Sequence, residues 1–370
     1  MARRSWPQRL KRFCCWILGL LGLLLLVRLV LFHGPVRPPE DLPTGGFTDV
    51  HVHAAGIGEG SDCFISRAMQ DSFKFDLYLS SFSVDQDQLR EHGDALLVER
   101  LAATVRKSRW VNQAVVLALD GIMLDDGTLD RERTEVYVDN EFVARETARH
   151  EELLFGASVN PLRHDALQRL RWSKQQGAVL VKWLPAIQLM DPGDRAHEDF
   201  YRLMVELDLP LLVHTGNERS FVMHEDHLAD PLRLRLPLEL GVRVIAAHAG
   251  TQGENDEEDN FSRLLRMASE FDNLVVDISS LTQINKLGHL DWVLEEPLLE
   301  GRLLYGSDFP LVETPLIQPW AFPLHLTLSQ MWTLSGIDNA LDQDVLLKQA
   351  LGVPADTFTA TARYLRLDGR

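Results

Sequence analysis

Residues 209–248 read LPLLVHTGNERSFVMHEDHLADPLRLRLPLELGVRVIAAH, and their pattern points to the fold. Two short apolar runs, Leu209–His214 and Val242–His248, flank an amphipathic stretch, Pro231–Leu240. Short runs of Val, Ile, Leu and Ala suit strands buried on both faces. The intervening stretch follows Asp230, a residue type that caps helix N-termini. The unit is therefore strand, helix, strand, and each strand ends on a histidine.

The same alternation extends in both directions. Further strand candidates are Phe47–His51, Ala114–Leu119, Leu154–Val159, Ala178–Trp183, Leu274–Ile278 and Leu303–Ser307. Helix-like segments include Asp165–Gln176, Asp194–Leu207, Phe261–Phe271 and His289–Leu299. Eight such units predict an α/β chain folded as a (β/α)8 TIM barrel over residues 47–370. No Gly-rich phosphate loop follows the first strand, which argues against a doubly wound open sheet. The longest insertions, Ala55–Asn112 and Asp120–Arg149, follow strands one and two, on the rim where barrel enzymes build their sites.

The N-terminus has a different composition. Phe13–Phe32 reads FCCWILGLLGLLLLVRLVLF, with Arg28 its only charge. About 20 apolar residues span a hydrocarbon core, so a transmembrane helix and a lipid bilayer partner are expected here. Residues 1–12 form a basic flank with Arg3, Arg4, Arg9, Lys11 and Arg12. The positive-inside rule keeps that flank cytoplasmic and sends the rest of the chain across, into the periplasm if the cell is bacterial. A cleaved signal peptide would need a small-residue site, which His33-Gly34-Pro35 does not offer. Residues 33–46, rich in Pro and Gly, read as a short stiff linker.

Charge narrows the partners. The first 43 residues carry seven Lys and Arg against Glu40 and Asp41, a net +5, which leaves −22 on the rest of a chain of −17. So acidic a domain repels phosphate backbones, and no nucleic-acid partner is expected. Cys63 is the only cysteine beyond the apolar segment, so the domain has no internal disulfide.

The residues with metal-binding chemistry fall at strand ends. His51 and His53 stand two apart, so a strand turns both imidazoles to one side, where they can reach one ion. Lys182, His214, His248 and Asp308 lie at or just past the ends of strands four, five, six and eight. In a barrel those ends converge on one rim. Taken singly, each is as well explained as a rim hydrogen-bonding group. The remaining histidines, His224 and His227 included, read as surface or loop residues.

The segments Asp49-Val-His-Val-His53, Val181-Lys-Trp-Leu-Pro185, Leu212-Val-His-Thr-Gly216, Ala247-His-Ala-Gly250 and Tyr305-Gly-Ser-Asp-Phe-Pro310 together resemble the amidohydrolase superfamily. Within it they are similar to the amidohydrolase-related (amidohydrolase 2) metal-dependent hydrolases, over the chain from Phe47 onward. The resemblance implies one or two divalent ions, zinc above the others, held by His51, His53, Lys182, His214, His248 and Asp308. It also implies that Lys182 is carboxylated by CO2 and bridges two ions, a reaction that needs a neutral amine. Asp308 and His248 are the expected catalytic groups, Asp308 taking the proton from the attacking water. The implied activity is hydrolysis of an ester, lactone, amide or related bond in a small molecule by metal-activated water.

Two alternatives stay open. A mononuclear-zinc, non-oxidative decarboxylase of the same family is one, and the state of Lys182 separates it from a hydrolase. The other is a membrane-tethered binding protein that kept the barrel and lost catalysis. Asn217, Glu218 and Arg219, after strand five, and Trp183 are candidate substrate contacts by position, while Phe309, Trp320 and Phe322 are aromatics near the rim.

Overall fold

A computed structural model describes residues 8–218 and 221–367. Its centre is an eight-stranded sheet of β1 (Phe47–His53), β2 (Val111–Leu117), β3 (Leu153–Ala157), β4 (Leu180–Trp183), β5 (Leu211–His214), β6 (Val244–Ala247), β7 (Leu274–Asp277) and β8 (Leu303–Leu304). The strands are parallel and neighbours in chain order. The two ends of the sheet meet. Val50 N donates to Tyr305 O at 3.1 Å, Asp308 N to His51 O at 3.0 Å, and His53 N to Phe309 O at 2.8 Å. The chain is thus a TIM barrel, as the alternation predicts.

Alternation within each strand sorts the side chains. Val50, Val115, Leu117, Leu180, Leu212, Ile245 and Leu304 fill the barrel interior as one cluster. Val181, Trp183, Val213, Val244 and Ala246 belong to a second cluster, which packs under the outer helices. Lys182 shares the parity of Leu180, and His214 that of Leu212, so both are aimed inward. A register shift between Asp49 and Val52 lets Val50 point into the interior while His51 and His53 still reach the rim.

Several predicted helices are shorter than their patterns. Residues 289–299 form a helix only over His289–Glu295, followed by a separate 3-10 turn, Pro297–Leu299. Pro231 likewise opens a 3-10 turn before the helix Arg235–Glu239. Proline has no N–H to donate, so it starts a turn rather than continuing one. The two rim insertions are joined: Phe64–Ile65 pairs antiparallel with Val136–Tyr137. Cys63 is buried and free, and its Sγ accepts from Asp139 N at 3.3 Å.

At the N-terminus, α1 (Gln8–Leu31) includes a 22-residue apolar stretch, Leu10–Leu31, with mean hydropathy 2.5 and none of it buried. It is long and apolar enough to cross a membrane. Residues 33–46 do not stand free as a spacer. His33 and Gly34 N donate to Leu324 O, Arg37 Nε donates to Leu294 O at 3.0 Å, and Glu40 Oε2 accepts from Ala355 N at 2.8 Å. The segment is strapped along the barrel.

Candidate metal centre

The strand ends bring all six predicted ligands into one cluster. His51 Nε2 lies 3.1 Å from His53 Nε2, and His53 Nε2 lies 3.1 Å from Asp308 Oδ1. His51 Nε2 and Asp308 Oδ1 are 3.7 Å apart. Lys182 Nζ approaches His51 Nε2 from β4 at 3.1 Å. The His248 ring stacks on His51 with centroids 5.1 Å apart, and the His214 ring meets His248 edge-on at 5.1 Å. His51, Lys182, His248 and Asp308 are buried, whereas His53 is half-buried on the open side.

Two of these side chains are aimed by unusual backbone. Asp308 has φ +64° and His248 φ +57°, both in the left-handed region. For an L-residue that conformation costs roughly 1–2 kcal/mol, and strain of this kind collects where a side chain must be held in one direction.

The donor set fits a divalent ion. Two atoms each about 2.1 Å from one ion lie roughly 3.0 to 3.4 Å apart for octahedral to tetrahedral angles. Two of the separations among His51, His53 and Asp308, both 3.1 Å, fall within that range, and the third, 3.7 Å, lies just above it. The tautomers fit as well. His51 Nδ1 faces Asp277 Oδ2 at 2.9 Å, and His248 Nδ1 faces Ser279 O at 3.0 Å. Each Nδ1 is thereby the protonated nitrogen, which leaves the Nε2 lone pair for the site. His214 Nε2 is buried with no hydrogen-bond partner among the described residues, its nearest carboxylate being Glu218 Oε2 at 3.7 Å.

A family model for amidohydrolases matches residues 49–346. The chain belongs to the amidohydrolase family. Among curated proteins no sequence matches it. Among solved structures it is similar to a TIM-barrel protein from Bordetella bronchiseptica, with 16% identity, a TM-score of 0.51, and 82% of this chain and 99% of that chain covered. A probable 2-pyrone-4,6-dicarboxylic acid hydrolase from Acinetobacter baumannii with citric acid bound matches at 13% identity and TM-score 0.49, covering 86% of this chain and 99% of that one. A 2,6-dihydroxybenzoate decarboxylase complexed with 2,6-dihydroxybenzoate matches at 16% and 0.49, covering 88% and 100%. At these identities the likeness concerns the fold.

Electrostatics in this amidohydrolase favours neutral imidazoles and an ionised aspartate. Burial, reinforced by the Lys182 charge and opposed by Asp277, lowers the His51 pKa to about 4. Burial also lowers His214 and His248. Burial opposes ionisation of Asp308, yet the His53 hydrogen bond and the charges of His51 and His248 outweigh it and hold its pKa well below the usual range. Burial lowers Lys182 to about 8, with Asp277, Asp308 and Glu218 pulling the other way. A neutral amine is therefore accessible near neutral pH.

Asp277 is the residue that the sequence reading missed. It ends the run Leu274-Val-Val as the histidines end theirs, and that was the available signal. Its Oδ1 accepts from His248 N at 3.0 Å, from Ser279 N at 3.0 Å and from the Ser279 hydroxyl, while Oδ2 takes the His51 contact. So fully engaged a carboxylate suits the orienting of its neighbours, although its oxygens also lie within 4.8 Å of donor atoms of His51 and His248. Tyr78 also faces the site from the first insertion. Its buried hydroxyl has no partner among the described residues, and burial, then the Asp308 charge, raise its pKa.

The candidate substrate contacts divide. Glu218 is buried beside His214. Asn217 packs its amide over the α-carbon of Gly253, where an added Cβ would meet Oδ1 at 1.9 Å. Arg219 lies outside the described residues. Trp183 is corrected: it is fully buried on the outer face of β4, donates Nε1 to Val159 O at 2.7 Å and packs on Phe200 and Tyr201. Its strand parity is opposite to that of Lys182, so it cannot reach a substrate in the barrel mouth. An open cleft of about 480 Å³, lined by Thr251, Gln252, Phe261, His289 and Trp292 among others, lies between the loops after β6 and β7, to one side of the ligand atoms.

Proposed function

We propose that this amidohydrolase is a metal-dependent hydrolase acting on an ester, lactone, amide or related bond of a small molecule. The observation that carries the reading is the triangle of His51 Nε2, His53 Nε2 and Asp308 Oδ1, spaced as the donors around a single ion. In this reading His51, His53 and Asp308 would hold one ion, His214 and His248 would hold a second, and carboxylated Lys182 would be a further ligand. Zinc suits the mixed imidazole and carboxylate set. When bound, such an ion lowers the pKa of water and polarises the oxygen under attack.

The chain's own residues do the rest. Asp308, ionised and buried beside half-buried His53, would accept a proton from the nucleophilic water and return it to the leaving group. Asp277 fixes the His51 ring, and Ser279 fixes that of His248. The test is a panel of esters, lactones and amides before and after chelation. Turnover that is lost with the metal and restored by zinc supports the reading, while turnover indifferent to chelation refutes it.

The decarboxylase reading has one contact in its favour. Lys182 Nζ touches His51 Nε2 at 3.1 Å, so an unmodified ammonium there could receive a substrate carboxylate beside a single ion. Metal stoichiometry together with the native mass of Lys182 separates the two.

We also propose that residues 13–32 anchor the protein in a membrane, with 1–12 cytoplasmic and 47–370 on the far side. The length and hydropathy of α1 and the basic residues that precede it support this arrangement. Retention of the chain in the membrane after alkaline washing, with the barrel protected from protease added on the cytoplasmic side, is the expected result. Release by the wash would refute it.

A further inference from the structure

Residues 314–337, in the loop after β8, include no Asp, Glu, Lys or Arg, in a chain that is 25% charged. The stretch carries exposed apolar groups: Trp320 is 47% exposed, Leu328 50% and Trp332 76%. Leu328 and Trp332 stand four residues apart on α2 (Leu328–Ser335) and share a face. Met331 and Leu334, on the other side of that helix, are buried. Trp320 belongs to a 3-10 turn, Pro319–Ala321, that packs against α2.

This patch adjoins the end of α1. Arg28 Nη2 donates to Leu326 O at 2.8 Å. His33 N and Gly34 N donate to Leu324 O at 3.2 and 3.1 Å, and the His33 ring meets the His325 ring edge-on at 4.5 Å. Arg28 lies four residues before Phe32, so about 6 Å inside the end of the apolar segment at ~1.5 Å per residue. A carbonyl that reaches Arg28 is therefore at the boundary of whatever apolar layer α1 occupies. The surface next to that carbonyl would then lie close to that boundary. Tryptophan settles at this depth, with its ring in the apolar layer and its N–H in the wet one.

We infer that Trp320, Leu328 and Trp332 are seated in the interfacial layer of the bilayer that α1 crosses, so that the barrel is docked on the membrane surface rather than suspended from it. This rests on α1 being a membrane anchor, and goes beyond it. The loop that carries the patch also carries Asp308, so docking also fixes how the barrel rim is oriented towards the lipid.

The test uses the full chain with Cys14 and Cys15 changed to Ser, reconstituted in phosphatidylcholine/phosphatidylglycerol vesicles. A nitroxide is placed by Leu328→Cys or Trp332→Cys, and by Val205→Cys on the helix after β4, across the barrel. Flotation of the vesicles first shows whether the chain is anchored. In floated vesicles, labels at 328 and 332 should give a ratio of oxygen to water-soluble nickel accessibility several-fold above that at 205. Equal ratios at the three positions overturn the docking while leaving the anchor intact, and failure to float overturns both. Spin–spin broadening at 332 that grows with the protein-to-lipid ratio would identify a second copy as the occupant and also overturn the inference.

Discussion

His51 Nδ1 and Asp277 Oδ2 lie 2.9 Å apart in a fully buried contact, and through it β7 sets the tautomer of a histidine on β1. The same carboxylate receives the backbone N–H groups of His248 and Ser279. One aspartate thus orients the His51 ring and ties down the backbone that carries His248 and Ser279.

Asp277→Asn keeps the size of the side chain but removes the charge that holds Nδ1–H. Loss of such an outer partner typically weakens metal binding 10- to 100-fold. Competition against a chelator should show a fall of that order, with Asp277→Ala at least as severe. Unchanged affinity would mean that Asp277 is a bystander.

Much of this was legible beforehand, and the exceptions have physical reasons. Short apolar runs ending in His214, His248 and Asp308 revealed both the barrel and its rim, because a strand buried on both faces has nowhere else to place a polar residue. Trp183 was misplaced because the direction of a side chain depends on strand parity, and the VKWLP motif does not state which of its residues faces inward. The strapping of residues 33–46 was invisible because Pro- and Gly-rich composition describes an isolated chain, not the carbonyls of Leu324 and Leu294 that happen to lie beside it. Tyr78 sits in an insertion whose path depends on the pairing of Phe64–Ile65 with Val136–Tyr137, a long-range contact that local pattern does not encode.

Asp49 clamps β1 to β8 by accepting at Oδ1 from His51 N and Ser307 N, both at 3.0 Å. Burial raises its pKa from 3.8 to about 7. The folded state therefore binds the extra proton between those values, so this contribution to stability is complete below 3.8 and is lost as pH rises to about 7. Between pH 5 and 8 the metal-stripped protein should lose on the order of 3 kcal/mol that Asp49→Asn does not lose. Urea unfolding of both proteins at the two pH values checks this, and parallel pH dependences would contradict it.

Lys348 Nζ is buried between Asp344 Oδ2 at 2.7 Å and Gly306 O at 2.8 Å, just before Asp308. Lys348→Met leaves buried Asp344 without its counter-charge, and removing one partner of a buried pair costs about 3–5 kcal/mol. Adding Asp344→Asn should recover part of that loss. A denaturation midpoint unmoved by Lys348→Met would show that the pair is not structural.

For Lys182, the neutral amine increases as pH rises through about 8. Carboxylation should accordingly increase with pH and with added bicarbonate. Carbon-13 NMR with labelled bicarbonate should show a carbamate signal in the native protein that is missing in Lys182→Arg. A signal that survives the substitution would place the carbamate elsewhere.

The most direct measurement is the metal content of the full chain purified without chelators, set beside His51→Ala/Asp308→Asn. At least one equivalent of divalent ion in the native protein, lost from a folded double variant together with turnover, is the predicted result. A native protein that turns over substrate without metal, or a double variant that retains its full complement, would contradict the metal centre at the rim of β1 and β8.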